Sequence, residues 1–158
     1  MRFSEGVEWG MHCTVLLAQA AGGKALSRRA LAEHYGLPEA YLAKHLRALA
    51  AAGILRAVPG PGGGYQLARP AAQLTALDVV DAVEGTASPF TCQEIRQQGT
   101  SAVPPEQCRR PCAIAVVMAQ GQQAWRETLR GVTIADLVER IPAPVREQIR
   151  AKLGGPRP

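Results

Sequence analysis

The apolar positions of the first fifty residues recur at helical spacing and are interrupted by glycine and proline. Val7, Met11, Val15 and Ala18 follow one another at i, i+4, i+8 and i+11, which predicts a helix from about Glu5 to Ala20 with one buried face. Ser4 stands where a cap belongs, Glu5 and Glu8 lie where the helix dipole favours acids, and Gly22-Gly23 ends the run. Ser27 caps a short second helix, Arg28 to Tyr35, closed by Gly36. Pro38 suits the first turn of a third helix, Glu39 to Ala51, ended by Gly53. Its inward stripe is Leu42, Leu46, Leu49 and Ala50, leaving Glu39, Ala40, Ala43, Lys44 and Arg47 outside. Two short helices joined by a tight glycine turn form a helix-turn-helix pattern.

The period then changes. Ile54 to Val58 and Tyr65 to Arg69 read as strands, and the turn between them is Pro59-Gly60-Pro61-Gly62-Gly63-Gly64. Gly62 to Gly64 are expected to supply positive φ and to let the backbone approach a surface closely. A helix-turn-helix followed at once by a glycine-tipped hairpin is the winged-helix arrangement. Thr75 caps a short helix, Ala76 to Val83, which Gly85 stops, and residues 86–111 carry no usable period. So long a structureless stretch is unusual in a compact domain unless it binds something. Helix resumes from Ala113 to about Leu129, where Ile114, Val117, Met118, Ala124 and Trp125 are more apolar than a solvated helix tolerates. That suits packing against a second subunit. Thr133 caps a final short helix, Ile134 to Arg140, an amphipathic tail covers Val145 to Leu153, and the last residues, GGPRP, should fray. The expected fold is mainly α with a small β-hairpin wing. A winged helix-turn-helix domain occupies 1–84, a loop 85–111, and a long dimerisation helix with a helical tail 112–158.

Composition sharpens the class. At 158 residues, 47% hydrophobic and 20% charged, the chain can bury a core and is not disordered. The net charge of +5 permits a polyanionic partner, and it is unevenly placed: residues 1–70 carry eight Lys/Arg against four Glu. Candidate DNA contacts are Lys44 and Arg47 for phosphate or guanine, and Ala40 and Ala43 for close approach or a thymine methyl. Tyr41 stands beside them, Arg28 and Arg29 lie on the second helix, and Arg56, Gly62 and Gly63 lie in the wing. No apolar run approaches the roughly 20 residues of a membrane span, and no leader of the usual order precedes the first helix, so a cytoplasmic location is expected. No Ser/His/Asp order, phosphate loop or acid pair suggests an enzyme.

Three of the four cysteines, Cys92, Cys108 and Cys112, fall in or beside the aperiodic stretch, the last two as C-x3-C. In a reducing compartment they favour metal or redox roles over a disulfide framework. Cys108 and Cys112 at i, i+4 around Pro111 can aim two sulfurs at one ion at a helix start, where the dipole and Arg109 and Arg110 favour thiolates. Glu8 and His12 also share one helix face, either as an ordinary charge-assisted pair or as one oxygen and one nitrogen donor.

The motifs Tyr41-Leu42-x-Lys44, Gly60-Pro61-Gly62-Gly63-Gly64-Tyr65-x-Leu67-Ala68-Arg69-Pro70 and Leu77-Asp78-Val79-Val80-x-Ala82-Val83 resemble the Rrf2 family over roughly residues 1–135. The family implies dimeric winged-helix regulators, many with iron–sulfur clusters. The segments Gly6-Val7-Glu8-Trp9-x-x-His12-Cys13, Cys92-x-Glu94-Ile95-Arg96-Gln97 and Pro104-Pro105-Glu106-x-Cys108-x3-Cys112 look most like a redox-regulator branch. The commoner family pattern has three closely spaced cysteines, whereas here fifteen residues separate Cys92 from Cys108. What the branch implies is a [2Fe-2S] cluster held by Cys108 and Cys112 of one subunit with Glu8 and His12 of the other. Its state would control a repressor on a palindromic operator. A zinc site of the same four residues, or a metal-free thiol switch, stays open beside it. Trp9, Cys13, His34 and Cys92 are candidates for secondary redox or coupling roles, with packing or a surface position as the plain alternative.

Overall fold

A computed structural model describes residues 3–154, so the expected fraying over 155–158 lies outside the described residues. The chain forms two compact units, one from residues up to 85 together with those from 129 on, the other from 86–128. The elements of the first are α1 (Glu5–Ala18), α2 (Arg28–Tyr35), α3 (Glu39–Ala51), β1 (Leu55–Val58), β2 (Gly64–Leu67) and α4 (Ala76–Glu84). After α5 (Ala113–Arg130) it is completed by α6 (Ile134–Arg140) and α7 (Ala143–Gly154). The fold is mainly helical with a two-stranded antiparallel hairpin, as the periodicities predict.

The caps are those the sequence offers, with one exception. Ser27 Oγ accepts the Ala30 amide at 3.1 Å, and Gly36 ends α2 at φ 65, a left-handed conformation that costs glycine little. Thr75 with Asp78 and Thr133 with Asp136 close reciprocal capping boxes on α4 and α6. Ser4, expected to cap α1, makes no side-chain cap. Its amide and hydroxyl both donate to Glu84 Oε1, at 2.8 and 2.6 Å, so a carboxylate from the end of α4 sits at the positive end of α1.

The buried face of α1 also differs from the predicted one. Val7, Met11, Val15 and Ala18 are only half-buried, and the deepest positions are Gly6, Gly10, Cys13, Thr14, Leu16 and Leu17. The reason is close packing against α3 and α4. A Cβ on Gly6 would fall on the imidazole of His45, and one on Gly10 would press Val83 at 3.4 Å and Leu49 at 3.6 Å. Glycine, which a hydrophobic pattern does not score as apolar, is what lets α1 approach. The core then closes around Leu16, Leu31, Leu42, Leu46, Leu49, Ile54, Leu74, Val79 and Ile134. Ile134 shows that α6 belongs to the same core as the helix-turn-helix. It is held there by backbone bonds from Ala76 N–H to Val132 O and from Ile134 N–H to Leu74 O, both at 2.8 Å.

The wing pairs Leu55 with Leu67 and Val58 with Gly64. Its positive φ falls at Gly60 (φ 96) and Gly64 (φ 149), rather than at Gly62 and Gly63. A Cβ at Gly64 would strike the carbonyl of Leu26, which receives the Tyr65 amide at 2.8 Å and ties the hairpin to the segment before α2. Residues 86–111, expected to be irregular, contain two short 3-10 turns, Ile95–Gln97 and Pro105–Cys108.

Gly6→Ala should cost about 1–3 kcal/mol by overpacking. The double variant Gly6→Ala/His45→Ala should cost clearly less than the sum of its singles in a urea-unfolding cycle. Strictly additive costs would show that the ring does not occupy the glycine's place.

Candidate functional site

The outer face of α3 rests on burial of its other side by Leu42, Leu46 and Leu49. Lys44, Arg47 and Ala40 are exposed, and Tyr41 is 71% exposed, a large aromatic standing free beside two cations. Ala43 is a correction. Expected outside as a base contact, it is only 7% exposed, because the buried stripe of α3 is wide enough to take in the position between Leu42 and Leu46. Ala50, expected inside, is half-buried. On α2, Arg28 pairs with Glu39 at 2.7 Å and Arg29 with Glu33 at 2.7 Å, so each would have to exchange a carboxylate for a phosphate. Such exposed pairs are worth only about 0–1 kcal/mol, which makes the exchange cheap.

In the wing, Arg56 is exposed and reaches the side-chain oxygen of Gln66, whose nitrogen donates to Gly23 O at 2.7 Å. Arg69 is anchored instead, with Nε donating to Gly53 O at 3.4 Å and Nη1 to Gln73 O at 3.3 Å. Gly62 is open, with nothing near a Cβ built on it, whereas Gly63 has a structural reason: a Cβ there would strike Val58 O. Its amide closes the wing turn onto Gly60 O at 2.9 Å.

On α1, Glu8 and His12 are exposed one turn apart on the face away from the core. Tyr35 donates its hydroxyl to the His12 carbonyl at 3.1 Å and lays its ring 5.3 Å from the His12 ring. Burial pushes the Tyr35 phenol up to about 12. His34 stacks edge-on to the same Tyr35 at 4.7 Å, and Trp9 stands edge-on to His45 at 5.9 Å. Cys13 is fully buried and its thiol is pushed up to about 12 by that burial, which fits a packing residue and leaves it inert as a nucleophile.

In the other unit, Cys112 stands at the start of α5. The amides of Ala115 and Ile114 point at its sulfur and hold the thiol below its ordinary value, with the Arg96 guanidinium adding to them. Cys108 ends the 3-10 turn four residues earlier, and both are half-buried. Cys92 is exposed and lines, with Cys112, Ile95, Val103 and Ile114, a recess of about 620 Å³. Arg96 and Glu94, which sequence reasoning passed over as functional residues, form a two-bond pair at 2.5 and 2.7 Å beside these sulfurs. The available signals were the Cys92-x-Glu94-Ile95-Arg96-Gln97 motif itself and a pair of opposite charges two apart, a spacing that no regular element brings together. Among the described residues no group of three or more His, Cys, Asp or Glu side chains could hold a metal ion within this chain.

The model of one family, Rrf2, described as an iron-dependent transcriptional regulator, matches residues 3–140. The chain belongs to the Rrf2 family. It is 34% identical over 129 residues to protein aau3 of Rhizobium meliloti (strain 1021), covering 81% of this chain and 80% of that one. The fold is that of CymR (YrzC), the global cysteine regulator of B. subtilis (TM-score 0.72, 24% identity, 90% of this chain and 99% of that one). It is also that of T. potens IscR (TM-score 0.69, 23% identity, 91% and 90%). As an Rrf2 protein the chain is a DNA-binding transcriptional regulator and not an enzyme. No helix among the described residues is long and apolar enough to cross a membrane.

Replacing Lys44 or Arg47 by alanine should weaken DNA binding and lower the salt slope by about 1 each if each meets a phosphate. Ala43→Leu should instead cost about 1–3 kcal/mol of folding stability. Titrations at several salt concentrations and denaturant unfolding separate the two effects.

A pH effect follows from the histidines. His45 and His34 are both held below the ordinary histidine value, first by burial and then by Lys44 and Lys152 respectively. Protonation is therefore weaker in the folded chain, so this contribution is complete above the unfolded value of about 6.5 and is lost as pH falls below it. The lowered carboxylates of Glu84 and Asp136 lose theirs only further into acid. The urea midpoint should thus decline between roughly pH 7 and 5, less so in His45→Gln.

Proposed function

We propose that the chain acts as a homodimeric repressor on a palindromic operator. Its affinity for DNA is set by the state or presence of a [2Fe-2S] cluster held between subunits. Glu8 and His12 of one subunit and Cys108 and Cys112 of the other are the ligands. The observation that carries this reading is the two-thiol turn at the start of α5. Cys112 receives two helix amides and Cys108 stands four residues before it, which suits thiolate ligation. The donor set fits the group on chemical grounds: two thiolates in one half-buried turn, and an exposed carboxylate and imidazole one turn apart in the other half. A two-donor turn is incomplete alone, and α5 carries an exposed apolar face for a second copy, with Ile114 at 66% and Val117 at 63%. The family's description as iron-dependent supports iron over zinc.

When bound, such a cluster would supply a one-electron couple whose imidazole ligand raises its potential relative to all-thiolate ligation. The chain's own residues do the rest. Glu8 and His12 stand on the face of α1 opposite Gly6, and Gly6 admits His45 of α3. A shift of α1 therefore presses directly on the helix that presents Lys44 and Arg47. The α1 helix is pinned at its start by Glu84 and beside His12 by Tyr35. Small displacements are not absorbed in so close a contact, because packed interiors yield little.

Subunits carrying Glu8→Ala/His12→Ala, mixed with subunits carrying Cys108→Ala/Cys112→Ala, should regain one coloured site per heterodimer under anaerobic reconstitution. No recovery would place the ligands within one subunit. A colourless protein with stoichiometric zinc, or one that regulates with no metal at all, would sink the cluster reading.

A further inference from the structure

Arg96 makes three side-chain hydrogen bonds in the 86–112 loop. Its Nε and Nη2 donate to both carboxylate oxygens of Glu94 at 2.5 and 2.7 Å, and Nη2 also donates to the carbonyl of Arg110 at 3.3 Å. Its own carbonyl accepts the Val103 amide at 2.7 Å. One residue thus joins three parts of the loop: the turn at 94, the return at 103, and the peptide midway between Cys108 and Cys112. Glu94 has a backbone conformation that non-glycine residues seldom adopt, φ 48 and ψ 48. Among the described residues it is the sole non-glycine with positive φ, and its carboxylate is the one that Arg96 grips with two bonds. The Arg96 guanidinium is held charged first by its hydrogen bonds to Glu94, and the Cys108 and Cys112 sulfurs add to that.

We propose that Arg96 is the positioning residue of the two-thiol half-site. Its fork clamps Glu94 on one side and the Arg110 carbonyl on the other, fixing the C-x3-C turn before any ion arrives. The clamp also occupies the Glu94 carboxylate, which lines the same recess as Cys92 and Cys112 and would otherwise offer a hard oxygen donor. The geometry matters rather than the charge alone, since an ammonium in place of the planar fork cannot meet both carboxylate oxygens and a carbonyl together. The proposal rests on Cys108 and Cys112 being ligands, and its test separates the two claims.

The test uses the full-length, cluster-free chain. Hydrogen exchange over 94–112 should speed up roughly tenfold in Arg96→Gln, Arg96→Lys and Glu94→Gln alike, equivalent to about 1.4 kcal/mol of lost local stability. Exchange in α1–α4 should be unchanged. Cobalt(II) should give a sulfur-to-metal band in the wild type that Cys108→Ala removes. Its affinity should fall by a similar factor in Arg96→Lys. Unchanged exchange, or Arg96→Lys matching the wild type in both readouts, overturns the clamp. A wild type that binds cobalt with no sulfur band overturns the half-site reading itself, whatever exchange shows.

Discussion

The close approach of α1 to α3 and α4 at Gly6 and Gly10 is the contact on which the rest depends. One helix carries two unlike faces. The inner face sends Cys13, Leu16 and Leu17 into the core and admits His45 where a side chain would have stood. The outer face presents Glu8 and His12 to solvent. Because the inner contact is bare backbone against a ring, the outer Glu8 and His12 and the helix that carries Lys44 and Arg47 are mechanically adjacent, separated by the thickness of one helix. A longer residue at position 6 would put a flexible side chain between them.

The same economy governs the ends of α1. A helix start leaves unpaired amides and a partial positive charge. Glu84 answers both through Ser4, while Tyr35 secures the His12 carbonyl. In the other unit the start of α5 is answered by the sulfur of Cys112. A thiol in that role is held toward thiolate by the helix that it begins. Cys13, equally a cysteine, is driven the opposite way by burial. Environment, rather than residue type, sets Cys13 and Cys112 apart.

Most of the helix-turn-helix and wing was legible because short-range signals agree with one another there. Ser27, Gly36, Pro38 and Gly53 mark boundaries locally, and Thr75 and Thr133 carry their cap partners three residues on. The misassigned positions share one cause. Ala43 and the glycines of α1 were read from hydrophobicity, which gives small residues little weight, yet Gly6 and Gly10 lie inward where neighbouring helices come close and Ala43 where the stripe of α3 is wide. Strand ends moved by one or two residues for a related reason: Ile54 N–H is taken by Leu49 O, leaving the ladder to begin at Leu55.

The sequence by itself determined the element types, their caps, the uneven charge and the residue types able to ligate a metal, because each depends on residues within a few positions of one another. Only the tertiary structure decided that α6 completes the core of the winged helix. It alone decided that His45 lies in the space Gly6 leaves, and that Arg96 ties residues 94, 103 and 110 around the cysteine turn. Those facts come from contacts between distant segments, where shape and unpaired backbone groups choose the partner and no local period records the choice.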